Sequence, residues 1–334
     1  MSTLVPPTTR APGSATDWYA PIARDLVEVE KVLARSLESR RPYVSRLIEH
    51  LENYRGKRLR PALLLLTARA CGRVVPAHYT LGAVVEMIHT ATLVHDDVLD
   101  NASVRRHQPT VNAGWGNQTS ILLGDYLFTH AYHLASTLGD ADACRLIGEA
   151  TNRVCEGELH QGTERGNLGL SEAEYLDIIE GKTAALTACC CRLGALYSGS
   201  SPSVVESLAR YGRLLGIAFQ IADDVLDLVG EERLTGKSLG TDMEQKKLTL
   251  PLIYMLQRDT LEVGSSVRRI LLSPANHKRE ALQPYLAQTG ALCYAQGRAE
   301  DFAARARAEL NCLPPSECRT ILDMLAQRVV HRNS

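Results

Sequence analysis

LVHDDVLDNASVRR, residues 93–106, ends an apolar stretch with three carboxylates, Asp96, Asp97 and Asp100, and adds Arg105 and Arg106 within six residues. Read as a helix, positions four apart share a face, so Asp96 and Asp100 project together while Asp97 points about 100° away. Like charges so placed repel unless a cation joins them. Paired oxygen ligands suit a hard divalent ion, and Mg²⁺ in particular takes one or two carboxylates and completes its octahedron with water and phosphate. The pentapeptide DDVLD then recurs, letter for letter, as Asp223 to Asp227. One copy is compatible with a solvated helix face. However, Leu93 and Val94 before the first copy, and Phe219, Ile221 and Ala222 before the second, mark buried helices, where carboxylates need partners.

Outward from these segments the helical period dominates. Ile22, Leu26, Val29, Leu33, Leu37, Val44, Leu47 and Leu51 recur at three- and four-residue steps, forming one or two amphipathic helices over 17–54. PALLLLTARAC, 61–71, is a compact apolar helix with proline in its first turn. The same texture predicts helices over 79–100, 118–138, 140–162, 172–198, 203–230, 247–258, 278–296 and 298–311. Alternating strand patterns with hairpin signals are essentially missing. The reading is an all-α, single-domain bundle of roughly a dozen helices. No linker splits it, so residues 17–334 form one domain. Residues 1–16, with three prolines and no apolar core, read as a disordered tail rather than a signal peptide.

The net charge of −1 gives no global field for nucleic acid or an anionic membrane. No apolar run approaches the about 18 residues of a membrane-crossing helix. Nine cysteines, three of them consecutive at Cys189, Cys190 and Cys191, fit neither a disulfide framework nor a zinc site, and read as reduced thiols of a cytoplasmic protein.

Basic groups accompany the acidic ones. GKRLRP, 56–61, crowds Lys57, Arg58 and Arg60 into a loop before a helix, where free backbone N–H groups add to the side-chain charge. His89 lies two turns before Asp96. Lys182 with Thr183, and Lys237 and Lys247, flank the second DDVLD, and Gly216, Gln220, Asp223 and Asp227 share one helix face. Singly, each lysine reads as surface and His89 as core. Together, six carboxylates and separate cation groups can hold several Mg²⁺ ions and two polyphosphate-like anions side by side.

LVHDDVLDNASVRR, GKRLRP, EMIH (86–89), GKTAAL, AFQIADDVLD and GKSLGTDMEQKKLTLP resemble, in order and spacing, the motif set of the trans-type isoprenyl diphosphate synthases. The resemblance implies a bundle around an elongated central cavity, and head-to-tail condensation of an allylic diphosphate with isopentenyl diphosphate. It implies about three Mg²⁺ ions held by Asp96, Asp100 and Asp223, with Asp97, Asp224 and Asp227 in support. It also implies an allylic diphosphate facing Arg105, Lys182, Lys237, Gln220, Thr183 and Lys247, and isopentenyl diphosphate facing Lys57, Arg60, His89 and Arg106. Arg55 and Lys246 depart from the family, which commonly has glycine at both. A homodimer is the family's habit, and release of an apolar product implies transient membrane contact.

Product length is read at Ala91 and Thr92, five and four residues before Asp96, where short-chain members resemble one another in carrying Phe or Tyr. Small residues there resemble the long-chain members and imply about C30 to C40, one isoprene unit per helical turn of about 5.4 Å. Thr183, Thr187, Cys190 and Gly194 form either a small-sided tunnel wall or a helix-packing seam. Two alternatives are a short-chain C20 geranylgeranyl diphosphate synthase and, in another class, a noncatalytic partner subunit of a heteromeric synthase.

Overall fold

The computed structural model describes residues 18–52, 56–230, 240–257, 261–273 and 278–331. The expected tail, Arg55 and Lys237 lie outside the described residues. After a short turn the chain forms α1 (Ala23–Ser36), α2 (Pro42–Glu52), α3 (Leu59–Ala70) and the long α4 (Pro76–Leu99). A two-residue pairing, β1 (Val104–Arg105) with β2 (Gln108–Pro109), leads into α5 (Val111–Trp115), α6 (Asn117–Ser136), α7 (Ala141–Thr163) and α8 (Glu172–Ile179). A π-helical turn, Glu180–Ala184, joins α8 to α9 (Ala185–Tyr197), which precedes α10 (Pro202–Val229). Then come α11 (Thr241–Glu244), α12 (Leu250–Gln257), α13 (Leu261–Leu272), α14 (Lys278–Thr289), α15 (Ala291–Glu309) and α16 (Glu317–Val330).

Local chemistry sets the ends of these helices. Pro76 and Pro202 occupy first turns, where their missing N–H costs nothing. Asp140 caps α7 by accepting from the Asp142 N–H. Ser171 and Glu174 form a reciprocal capping box on α8. The main apolar core runs from Ile22 to Val330, and α10 lies at its centre, between α9 and α15. α4 packs against α3 on one side and α6 on the other. Among the described residues no helix is long and apolar enough to cross a membrane.

Close backbone approaches bring the site-bearing helices together. A Cβ at Gly216 would lie 2.6 Å from the Ala184 Cα, and one at Gly181 would lie 2.7 Å from the Arg153 carbonyl oxygen. Gly194 meets the α3 backbone at Leu64, and Cys190 is fully buried. At Gly194 the small residue therefore serves helix packing, which decides that position of the seam in favour of the second reading. The cysteine triplet is buried throughout, and burial pushes all three thiols up, Cys189 and Cys191 to about 12. They stay protonated and inert.

Three features depart from the sequence expectation. The break expected near residue 297 falls at Gly290, which takes φ 67°, and Gly297 lies inside α15. α5, α11, α13 and α16 fall outside the helices that the sequence predicts. The β1–β2 hairpin was missed because its two turn residues, Arg106 and His107, adopt φ 50° and 63° without the Asn-Gly signature of such turns.

Candidate active site

The C-terminal end of α4 gives its three aspartates different surroundings. Asp97 is 1% exposed and accepts from the Arg105 Nε at 2.8 Å, which ties the hairpin to the helix. Its own carbonyl oxygen accepts from the Asn112 side chain and the Ala102 N–H. Asp100, at the helix end, accepts from the Lys247 Nζ at 3.2 Å and the Arg165 Nη2 at 3.3 Å. Burial pushes Asp96 up to about 6; Lys182 pulls the other way, while Glu158 and Asp100 add repulsion.

Opposite, α10 carries the second set. Asp224 is buried and accepts from the Tyr175 hydroxyl at 2.6 Å and the Gln220 Nε2 at 2.7 Å, and burial holds its carboxyl well above the usual range. Gln220 accepts in turn from the Thr183 hydroxyl at 2.7 Å. Tyr175, Asp224, Gln220 and Thr183 thus form one chain from α8 through α10 to the π-helical turn. Asp227 accepts from the Gly240 and Asp242 N–H groups at 3.1 and 3.4 Å, pinning the segment that carries Asp242, Lys246 and Lys247. Burial pushes Asp242 up to about 6, helped by Asp227 and opposed by Lys247.

Lys182 joins the two sets. The π-helical turn, a feature common at functional sites, directs its ammonium to Glu158 and to the Gln161 Oε1 at 3.1 Å. Burial works against the ammonium, but Glu158 and Asp96 outweigh it and raise its pKa. Both Asp96 and Asp242 feel this one lysine. Carboxylates therefore crowd the space between the two sets, and three of them, Asp96, Asp224 and Asp242, are held above their ordinary range. That donor chemistry fits hard divalent ions. Among the described residues no three carboxylates or imidazoles converge into an all-protein cage, which suits an ion that takes one or two carboxylates and leaves its other positions to water and phosphate.

A second, cationic region lies beside the first. Arg60 is half-buried, desolvation lowers its pKa, and its Nε has no partner among the described residues. Burial, followed by Arg60, Arg106, Arg105 and Arg58, holds His89 neutral, well below its usual pKa. The Arg106 guanidinium lies against Gly56, where a Cβ would come within 2.6 Å of Nη2. A side chain there would push the guanidinium aside. Lys57 is exposed at the rim.

Ala91 and Thr92 part company. Ala91 is fully buried in an apolar cluster with Leu51, Val94, Val111, Leu123 and Leu127. Thr92 is half-buried on the Asp96 face, its hydroxyl donating to the His89 carbonyl.

Thus the structure gathers Asp96, Asp97, Asp100, Arg105, Lys182, Thr183, Gln220, Asp223, Asp224, Asp227 and Lys247 in one region and Arg60, His89 and Arg106 beside it, whereas Lys57 stays exposed and Ala91 packs among apolar side chains. It adds Glu158, Gln161, Arg165, Tyr175 and Asp242. Of these only Asp242 lay inside a recognisable motif, GKSLGTDMEQKK. Lys246 proves to be left-handed, φ 57°, which accounts for glycine being common at that position.

Comparison with known proteins agrees with this geometry. Residues 41–287 match the family described as polyprenyl synthetase. The chain is 35% identical over 314 residues to octaprenyl diphosphate synthase of Escherichia coli K12, covering 93% of this chain and 97% of that protein. The crystal structure of a decaprenyl diphosphate synthase from Rhodobacter capsulatus superposes with a TM-score of 0.89 at 36% identity, covering 95% of this chain and 98% of that one. A polyprenyl synthase from Caulobacter crescentus CB15, complexed with calcium and isoprenyl diphosphate, gives a TM-score of 0.91 at 34% identity, covering 98% of this chain and 100% of that one.

Proposed function

The chain belongs to the polyprenyl synthetase family, and from that premise we propose that it is a long-chain trans-prenyltransferase. It adds isopentenyl diphosphate head-to-tail to an allylic diphosphate and yields an all-trans polyprenyl diphosphate of about C30 to C40, with one isoprene unit per helical turn of depth. The observation that carries the reading is the pair of carboxylate sets joined by Lys182, adjoining the cationic region of Arg60, His89 and Arg106.

Asp96, Asp100 and Asp223 would hold Mg²⁺, about three ions when both substrates are present, which neutralises the departing pyrophosphate. Lys182, Arg105 and Lys247 bind the allylic diphosphate and keep fixed positive charge where the leaving oxygen becomes negative. Asp97 orients Arg105, and Asp227 orients the segment of Lys247. Asp224 and Gln220 hold Thr183, and with it the turn that aims Lys182. Lys57, Arg60, His89 and Arg106 seat isopentenyl diphosphate, the neutral imidazole donating without adding charge. The buried walls exclude water that would otherwise quench an allylic cation. The ionised carbon then takes the π-electrons of the isopentenyl double bond, and loss of a proton restores an allylic diphosphate ready for the next addition.

A homodimer is supported by Trp115, Ile121 and Leu122, large apolar side chains exposed on α5 and α6. A single domain is supported by the core that runs from Ile22 to Val330. Nine unpaired cysteines support a reducing, cytoplasmic setting, and the apolar product supports transient membrane contact at its release. The short-chain alternative is not favoured, because Ala91 and Thr92 are small and the octaprenyl and decaprenyl diphosphate synthases above are relatives over nearly the whole chain; the noncatalytic subunit is not favoured, because the residues of both regions are intact.

The test is incubation of the purified chain alone with Mg²⁺, labelled isopentenyl diphosphate and farnesyl diphosphate, followed by sizing of the dephosphorylated products. A ladder ending at about C30 to C40 is expected. A stop at C20 would overturn the chain length, and no product with any allylic primer would overturn the activity.

A further inference from the structure

The loop before α3 and the first turn of that helix, residues 56–60, carry two of the proposed isopentenyl diphosphate ligands, Lys57 and Arg60, with Arg58 between them. Arg58 adopts φ 51°, a left-handed conformation that is strained for a non-glycine residue. Something must hold it there. Its guanidinium is bound on two sides. Nε and Nη2 fork onto the Glu30 carboxylate of α1, the latter at 3.2 Å, while Nη1 meets the Glu86 Oε1 of α4 at 2.7 Å. Burial opposes the charge of Arg58, but Glu30 and Glu86 outweigh it and raise its pKa. Arg58 is thus committed to protein carboxylates, whereas the Arg60 Nε is left without a partner among the described residues. The Tyr19 hydroxyl, just before α1, also donates to the Lys57 carbonyl. α1 is itself anchored, because its buried Asp25 receives Arg69 of α3 at 2.7 Å and the Tyr79 hydroxyl of α4 at 3.1 Å. Glu86 carries a second buried oxygen, Oε2, without a partner among the described residues, and its charge acts on Arg60 and Arg106.

We infer that Glu30 and Glu86, acting through Arg58, are positioning residues for the isopentenyl diphosphate subsite, so that α1 is a working part of a site it never touches. The inference rests on the assignment of Lys57, Arg60 and His89 to that subsite. The fork needs the planar guanidinium, so lysine at 58 cannot reproduce it.

Glu30→Gln and Arg58→Lys are the variants of choice, since Glu30 is one-third exposed and its loss leaves the core intact. Each is expected to raise KM for isopentenyl diphosphate about tenfold, the scale of one charged hydrogen bond, while KM for the allylic diphosphate and kcat stay near wild type, as does Tm for Glu30→Gln. Tyr19→Phe should produce a smaller rise of the same kind. Arg60→Ala separates the two levels. If Arg60→Ala raises KM for isopentenyl diphosphate and Glu30→Gln does not, the positioning inference is overturned and the subsite stands. If Arg60→Ala has no such effect, the subsite falls and the inference with it. A Glu30→Gln enzyme with both KM values raised, or with a lowered Tm, would show a merely structural contact and overturn the inference.

Discussion

Asp96 and Asp97 are neighbours with the same side chain, yet their removal should move stability in opposite directions. In the metal-free protein burial pushes Asp96 up to about 6. That is some two units above an ordinary aspartate, or about 3 kcal/mol of penalty on the ionised form. The sign follows from linkage. Below about pH 4 both folded and unfolded chains are protonated here and no penalty exists. As pH rises the unfolded chain ionises first, so folded stability falls, and above pH 6 the whole penalty applies. Asp96→Asn abolishes it. Lys182 loses one favourable neighbour but keeps Glu158, so the net gain at pH 8 should be about 1–3 kcal/mol. Asp97→Asn does the reverse. It weakens a bond at 2.8 Å to Arg105 in a site where Asp97 is 1% exposed, a loss of about 2–3 kcal/mol at any pH where aspartate is ionised. Urea unfolding with EDTA, at pH 8 and pH 4, measures both. Asp96→Asn should be more stable than wild type at pH 8 and equal to it at pH 4, with turnover lost. Added Mg²⁺ should stabilise wild type and leave this variant far less affected. A destabilised Asp96→Asn at pH 8 would refute the claim that its carboxylate is held in place for a ligand at the fold's expense.

Lys246→Gly should stabilise the metal-free protein by about 0.5–1 kcal/mol by relieving a left-handed non-glycine residue at φ 57°; a loss in the same urea titration would mean that the side chain braces the turn. His89 is held well below its usual pKa by burial and then by Arg60, Arg106, Arg105 and Arg58. Folding therefore excludes a proton that the unfolded chain takes up, and stability should fall as pH drops below about 6.5. Burial depresses His78 in the same direction, so His89→Gln should flatten that acid limb without erasing it in Tm measured from pH 5 to 7.5. Ala91→Tyr should shorten the product by at least one isoprene unit, and cost about 1–3 kcal/mol because the ring must enter the cluster of Leu51, Val94, Leu123 and Leu127. An unchanged product ladder would remove Ala91 from the chain-length determinants.

Helical periodicity made most of the bundle readable, because the apolar face of an amphipathic helix is written every three or four residues. The repeated DDVLD, with its attendant basic motifs, made both halves of the site readable for a similar reason: each functional group sits in a local pattern. Where that locality ends, so does the reading. Arg165 approaches Asp100 from the loop after α7, and Glu158 and Gln161 reach Lys182 from an otherwise ordinary helix face. Tyr175 finds Asp224 across 49 positions of sequence. The hairpin escaped because Arg106 and His107 occupy left-handed positions that glycine or asparagine usually fills.

The six carboxylates of the two motifs carry the same lesson into function. Spacing along a helix tells which side chains share a face, but not which of them finds a donor there. Asp97, Asp224 and Asp227 are each supplied with donors by Arg105, by Tyr175 and Gln220, and by the Gly240 and Asp242 amides. They are thereby committed to holding the hairpin, the π-helical turn and the lysine-bearing segment. At Asp96, by contrast, burial and the repulsion of Glu158 and Asp100 outweigh the pull of Lys182 and Arg105. A group left short of positive charge in a buried cleft is the one with affinity to spare for an incoming cation, so the division of labour within DDVLD is set by partners that the pentapeptide itself does not contain.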